Sequence, residues 1–227
     1  MAVNPQIKTL ELRPPKAPNL PIGPVDYDQR YQDQLLNALR LYFNQIDNFG
    51  AGLLNGAGGG SIKFPYGAFS SGVTQSAASN TATALTFNTT DFANGFSIVS
   101  SSRITPDLAG LYNLQFSVQL QSLSTAPEDI YIWLKQYTAA TNTLADIVGS
   151  TGVVGLLARK NPGDPSHDIK GWNYYVSMDV GDYLQIYWST TNGTDVTIPY
   201  YAASGSPTKP ATQSVVATMS FVSALYL

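Results

Sequence analysis

Ile104-Thr105-Pro106 leads through Ala109-Gly110 into Leu111-Tyr112-Asn113-Leu114-Gln115-Phe116, and later Met178-Asp179-Val180-Gly181-Asp182-Tyr183-Leu184-Gln185-Ile186 closes a second strand pair. Both runs carry hairpin punctuation: Gly110 is placed to take the positive φ of a strand start, and Gly181-Asp182 supplies a tight turn between apolar runs. Outward from this stretch, the pattern from Phe64 to the end is β throughout. Candidate strands fall at 66–73, 82–87, 96–98, 111–121, 130–136, 147–157, 172–178, 183–189, 196–203 and 214–226. Asn94-Gly95, Asn161-Pro162-Gly163, Gly181-Asp182 and Asn192-Gly193 supply turn chemistry between them. The last strand places Val215, Ala217, Met219 and Phe221 on one face. Short strands so spaced predict an antiparallel sandwich rather than a parallel sheet.

The order Pro, Gly, Tyr, then a Gly-Asp turn and an apolar closing strand, resembles the jelly roll shared by tumour necrosis factor and the complement globular head domains. The resemblance covers roughly residues 64–227 and implies a homotrimer. Two departures accompany it: the chain has no cysteine, and a long insertion spans 138–168. No ligand-binding loop or functional residue of the family is therefore carried over.

The 227 residues are 44% hydrophobic and 11% aromatic, enough for one sizeable β core with an accessory segment. Only 12% are charged, about half the usual share, so the surface must be covered by Ser, Thr, Asn and Gln. A formal net charge of -3 argues against nucleic acid as a partner, because such binding neutralises phosphates with Lys and Arg. With no cysteine there is neither a disulfide framework nor a thiolate metal site. Met1-Ala2-Val3-Asn4-Pro5 lacks the charged and apolar regions of a signal peptide, and no run reaches the ~20 apolar residues of a spanning helix. A chain made in the cytoplasm, without membrane insertion, is expected.

The amino-terminal part divides in three. Residues 1–26 hold Pro5, Pro14, Pro15, Pro18, Pro21 and Pro24 and predict an extended, partly polyproline II arm. Its apolar residues Ile7, Leu10, Leu12, Leu20 and Ile22 are more frequent than a solvated linker carries and mark it as an anchor. Residues 27–49 predict a short α-helix, capped by Asp26 or Asp28 and stopped at Gly50. Leu35, Leu39, Tyr42, Ile46 and Phe49 recur at alternating spacings of four and three, a stripe suited to an oligomer interface. Residues 50–63 are glycine-rich and predict a hinge; no Lys followed by Ser or Thr closes them at the spacing of a phosphate-binding loop. The jelly-roll head, 64–227, follows.

Signals for catalysis are weak. His167, the single histidine, lies in Gly163-Asp164-Pro165-Ser166-His167-Asp168, a segment that reads as an exposed Gly/Pro loop rather than a metal site or a triad. Glu128 and Asp129 are neighbours in an extended segment and so point to opposite faces, which is wrong for carboxylates sharing one bond. Neither an enzyme activity, a cofactor nor a metal is expected. Trp133, Trp172, Trp188, Tyr187 and the pairs Tyr174-Tyr175 and Tyr200-Tyr201 must in part face outward. Outward aromatics suit a subunit interface and, secondly, stacking on sugar rings.

The plan is thus an anchor arm, an oligomerising helix, a glycine hinge and a charge-poor head. Residues 31–45, Tyr-Gln-Asp-Gln-Leu-Leu-Asn-Ala-Leu-Arg-Leu-Tyr-Phe-Asn-Gln, resemble amino-terminal segments of structural proteins from phages of marine cyanobacteria. That resemblance implies a homotrimeric virion protein, a fibre or decoration on head or tail, docked through its arm on another capsid or tail protein. The alternative is a receptor-binding knob for host attachment that recognises a surface glycan.

Overall fold

A computed structural model describes residues 15–20, 22–54 and 64–224; the anchor positions Ile7, Leu10 and Leu12 and the hinge residues 55–63 lie outside the described residues. The chain forms two compact units, 1–63 and 64–227. In the first, residues 15–20 have no regular structure and a 26-residue helix, α1, spans Gln29–Leu54. Asp28 caps it: its carbonyl accepts the Gln32 N–H at 3.1 Å and its carboxylate the Arg30 N–H at 2.9 Å. The helix does not stop at Gly50 as the sequence predicts but continues to Leu54. An interior glycine costs only about 1 kcal/mol, too little to end a helix whose apolar spacing continues to Leu53.

The second unit opens with β1 (Tyr66–Ser71), β2 (Thr83–Ala84), β3 (Thr89–Asn94), β4 (Phe96–Val99) and β5 (Arg103–Pro106). There follow β6 (Gly110–Ser122), β7 (Glu128–Thr138), β8 (Thr143–Asp146), β9 (Gly152–Leu156), β10 (Ser166–Met178) and β11 (Tyr183–Thr190). The chain closes with β12 (Val196–Thr197), β13 (Ser204–Gly205), β14 (Thr208–Lys209) and β15 (Val215–Ser223). One sheet has the order β10-β6-β15-β1-β3, with β12 on β6. The other runs β4-β5-β11-β7-β8, with β2 on β11 and β9 on β7. The chain passes repeatedly between the sheets and all the named pairings are antiparallel, so the fold is a mainly β jelly-roll sandwich.

The core lies between the sheets. Leu114, Phe116, Val118 and Leu120 of β6 face Ile130, Ile132 and Leu134 of β7 and Leu184, Ile186 and Trp188 of β11 within one cluster. Val215, Ala217 and Met219 of the closing strand are buried in it, with Phe221 packed against it. Tyr112 is fully buried and donates its hydroxyl to the Leu108 carbonyl at 2.6 Å; burial, and then the nearby Asp107 charge, push its pKa up to about 12.

Gly95 and Gly181 adopt φ of 73° and 92°, as their turns require. Gly110 is needed for another reason than the one its position suggests. Its φ is not in the left-handed region; instead, a Cβ there would sit 2.8 Å from the Phe221 ring. The long insertion at 138–168 carries β8 and β9, both paired with β7, and the start of β10. His167 accordingly lies in a strand opposite Gln121, not in a loop. The predicted strand at 196–203 shrinks to Val196–Thr197, because the chain then leaves β6: Ile198 bridges Gln75 and Tyr201 bridges Thr212, with Pro199, which has no N–H to donate, between them.

Candidate functional site

Two sheet faces point away from the core, and their chemistry differs. On the β10-β6-β15-β1 face the outward positions carry no Asp, Glu, Lys or Arg. Register places Asn173 beside Gln115 and Gln115 beside Thr218, while Ile169, Tyr175 and Val216 stand out exposed among these small polar groups. Asn113, between Tyr175 and Ser220, is buried, and its Oδ1 has no hydrogen-bond partner. At the β1-β3 end Tyr66 and Phe92 add exposed rings 6.1 Å apart.

The outward face of β5-β11-β7 is aromatic and cationic. Tyr183 opposes Tyr137 and Tyr187 opposes Trp133, so four rings form a ladder across two strands. The Tyr137 and Tyr183 rings stack with centroids 4.6 Å apart and planes 7° apart, and the Arg103 guanidinium lies 4.6 Å from the Tyr183 centroid. Along the same face Lys135 sits 4.9 Å from the Tyr187 centroid. Its charge is paired with Asp146 at 3.2 Å, and the same Asp146 oxygen accepts the Trp133 indole N–H at 2.7 Å. A shallow groove of about 450 Å³ opens among Val99, Arg103, Thr105, Tyr137, Gly181 and Tyr183.

Of the residues singled out in the sequence, Leu35, Leu39, Tyr42 and Phe49 are half-buried on α1 and Ile46 is exposed. Leu36, Leu41 and Phe43, off that stripe, are more exposed still, so the stripe is the more covered side of the helix. Leu20 and Ile22 of the arm are exposed. Trp188 is core and Trp172 stacks on Phe116, which leaves Trp133 as the outward tryptophan among the three. His167 Nδ1 lies 3.2 Å from the Tyr201 hydroxyl, which also bonds Gln121; burial raises the Tyr201 pKa.

Glu128 does not pair with Asp129. It accepts hydrogen bonds from Thr191 (2.6 Å), Asn192 (3.0 Å) and Ser124 (2.7 Å), and these hold its carboxyl below the usual range. Sequence reasoning missed Arg103 and Thr105, because Arg103-Ile104-Thr105-Pro106 reads as a lead-in segment. The available signal was their alternation with buried Ile104. Among the described residues no group of three His, Cys, Asp or Glu side chains is placed to hold a metal, and no helix is long and apolar enough to cross a membrane.

No protein-family model and no curated protein sequence matches the chain. Solved structures do match. One is the globular domain of the zebrafish complement 1qA protein, 14% identical over 72% of this chain and 100% of that one, with a TM-score of 0.43. The assignment of the sandwich stands on its own strand order and register.

Proposed function

We propose that the protein is a homotrimeric virion structural protein, a fibre or decoration on a phage head or tail, whose arm docks on another capsid or tail protein and whose jelly roll projects. The observation that carries the assembly is the uncharged face of β10, β6, β15 and β1. Interface centres are depleted of charge and enriched in apolar and aromatic groups, which is the composition of Ile169, Tyr175 and Val216 set among Gln, Ser and Thr. Three-fold closure is what the resemblance to the tumour necrosis factor and complement heads implies, and the stripe on α1 offers a second self-associating surface. The phage setting rests on the 31–45 resemblance alone.

Sedimentation equilibrium tests the assembly. The full chain is expected at three times 24.4 kDa, and Ser117→Arg, which puts a charge in the middle of the face, at one. A wild-type monomer at micromolar concentration overturns the reading. Deleting residues 1–26 is expected to leave the number of subunits unchanged while removing the protein from purified particles; truncated protein at normal copy number refutes the anchor.

The ladder of Trp133, Tyr187, Tyr137 and Tyr183 supports a second role, attachment to a host-surface glycan. Co-facing aromatic side chains on a solvent-facing sheet suit stacking on sugar rings.

A further inference from the structure

The Arg103 groove points to the chemistry of that glycan. Three features converge there. First, the guanidinium is fixed in place by the stack beneath it, Tyr183 and then Tyr137, rather than by an ion pair. Second, its planar fork of donors has no hydrogen bond or carboxylate among the described residues, whereas Lys135 and Lys170 are paired with Asp146 and Asp168. The acid nearest the groove in sequence, Asp182, is 3% exposed and spends its oxygens on the backbone N–H groups of Ala139 and Asp179. Third, the rest of the lining is aromatic, apolar or hydroxyl-bearing, with Val99, Thr105 and the two tyrosines around a concavity of about 450 Å³.

We propose that this groove binds a carboxylate-bearing sugar unit of an acidic glycan, the carboxylate taken by the Arg103 fork and the sugar held against Val99, Thr105 and the edges of the two tyrosines. Arginine is suited to this because its fixed fork matches a carboxylate bidentately. A single cation among aromatics on a chain of net charge -3 does not suit a polyphosphate backbone, which needs several. Beyond Tyr183, across the Gln185–Lys135 pair, the same face carries a second pair of rings, Tyr187 and Trp133, against which a further unit of the glycan can lie. The proposal rests on the glycan reading above and adds the acid requirement to it.

Ligand-observed saturation-transfer titrations on the full chain test it, with trigalacturonate, its methyl ester and N-acetylneuraminate as probes. The expected result is that at least one acid binds the wild type ten-fold or more tighter than the ester. Arg103→Gln should erase that difference, and Arg103→Lys, which keeps the charge without the fork, should lose part of it. Equal binding of acid and ester, with both weakened by Trp133→Ala, overturns the acid requirement while leaving the glycan reading standing. No binding of any probe overturns both. Displacement of the acid by inorganic phosphate at equal concentration overturns the sugar assignment in favour of a general anion hole.

Discussion

Replacing Trp188 with Ala is expected to destabilise the head by about 3–5 kcal/mol, the range for deleting a large aromatic from a packed core. Trp188 heads the fully buried side chains, with no exposed surface, on the central strand of its sheet opposite Ile132. Truncation leaves a cavity that the surrounding strands cannot collapse into without breaking register. Its indole N–H is buried without a partner, so the native side chain already carries an unmet polar group. Trp188→Phe, which removes that group and part of the volume, is therefore expected to cost much less than Trp188→Ala. Urea unfolding followed by fluorescence of the remaining tryptophans measures both. At roughly 2–4 °C per kcal/mol for a domain of this size, the Ala variant should melt on the order of 6–20 °C lower. A shift of only a degree or two would mean that the two sheets do not close over this position.

What could be read in the sequence were the elements that carry the core. Gly110–Ser122 and Tyr183–Thr190 alternate apolar and polar residues over a long run, and the turn at Gly181 sits between apolar segments. Thr89–Asn94 and Thr143–Asp146 were not legible, since most or all of their side chains are exposed and neither has an apolar period to betray it. Both are edge strands, held by pairing with a neighbour that sequence periodicity does not report. The same limit hid the candidate site. That aromatics must face outward follows from Trp133 and Tyr187 themselves, but that they are neighbours follows only from the register of β7 on β11. Arg103 reaches Tyr183 because β5 pairs with β11 at a single bridge, Leu184 with Ile104. On α1 the stripe was visible, whereas its end was not, because Gly50 alone is too weak a stop.

Asp182→Ala is expected to be the most damaging substitution of a polar residue, for a reason that lies in backbone groups far apart in sequence. The Asp182 carboxylate accepts the Ala139 N–H at 2.8 Å and the Asp179 N–H at 3.0 Å, with the Gln136 side-chain amide at 3.4 Å. One side chain thus fastens the turn between β10 and β11 to the loop between β7 and β8, directly beneath the Gly181 wall of the groove. Alanine leaves two backbone donors without acceptors in a part-buried position. Each orphan costs about 1–3 kcal/mol, which predicts a loss of roughly 2–6 kcal/mol. Asp182→Asn keeps one acceptor oxygen and should lose less than half as much. The signature that separates this tie from a general packing defect is local. Amide hydrogen exchange at Ala139 and Asp179 should accelerate in Asp182→Ala more than exchange in the central strands, and the preference for an acidic sugar should weaken with it, since Gly181 and Tyr183 follow from that turn. Unchanged exchange at those two amides, alongside a lowered melting temperature, would show that the carboxylate is not what holds the two loops together.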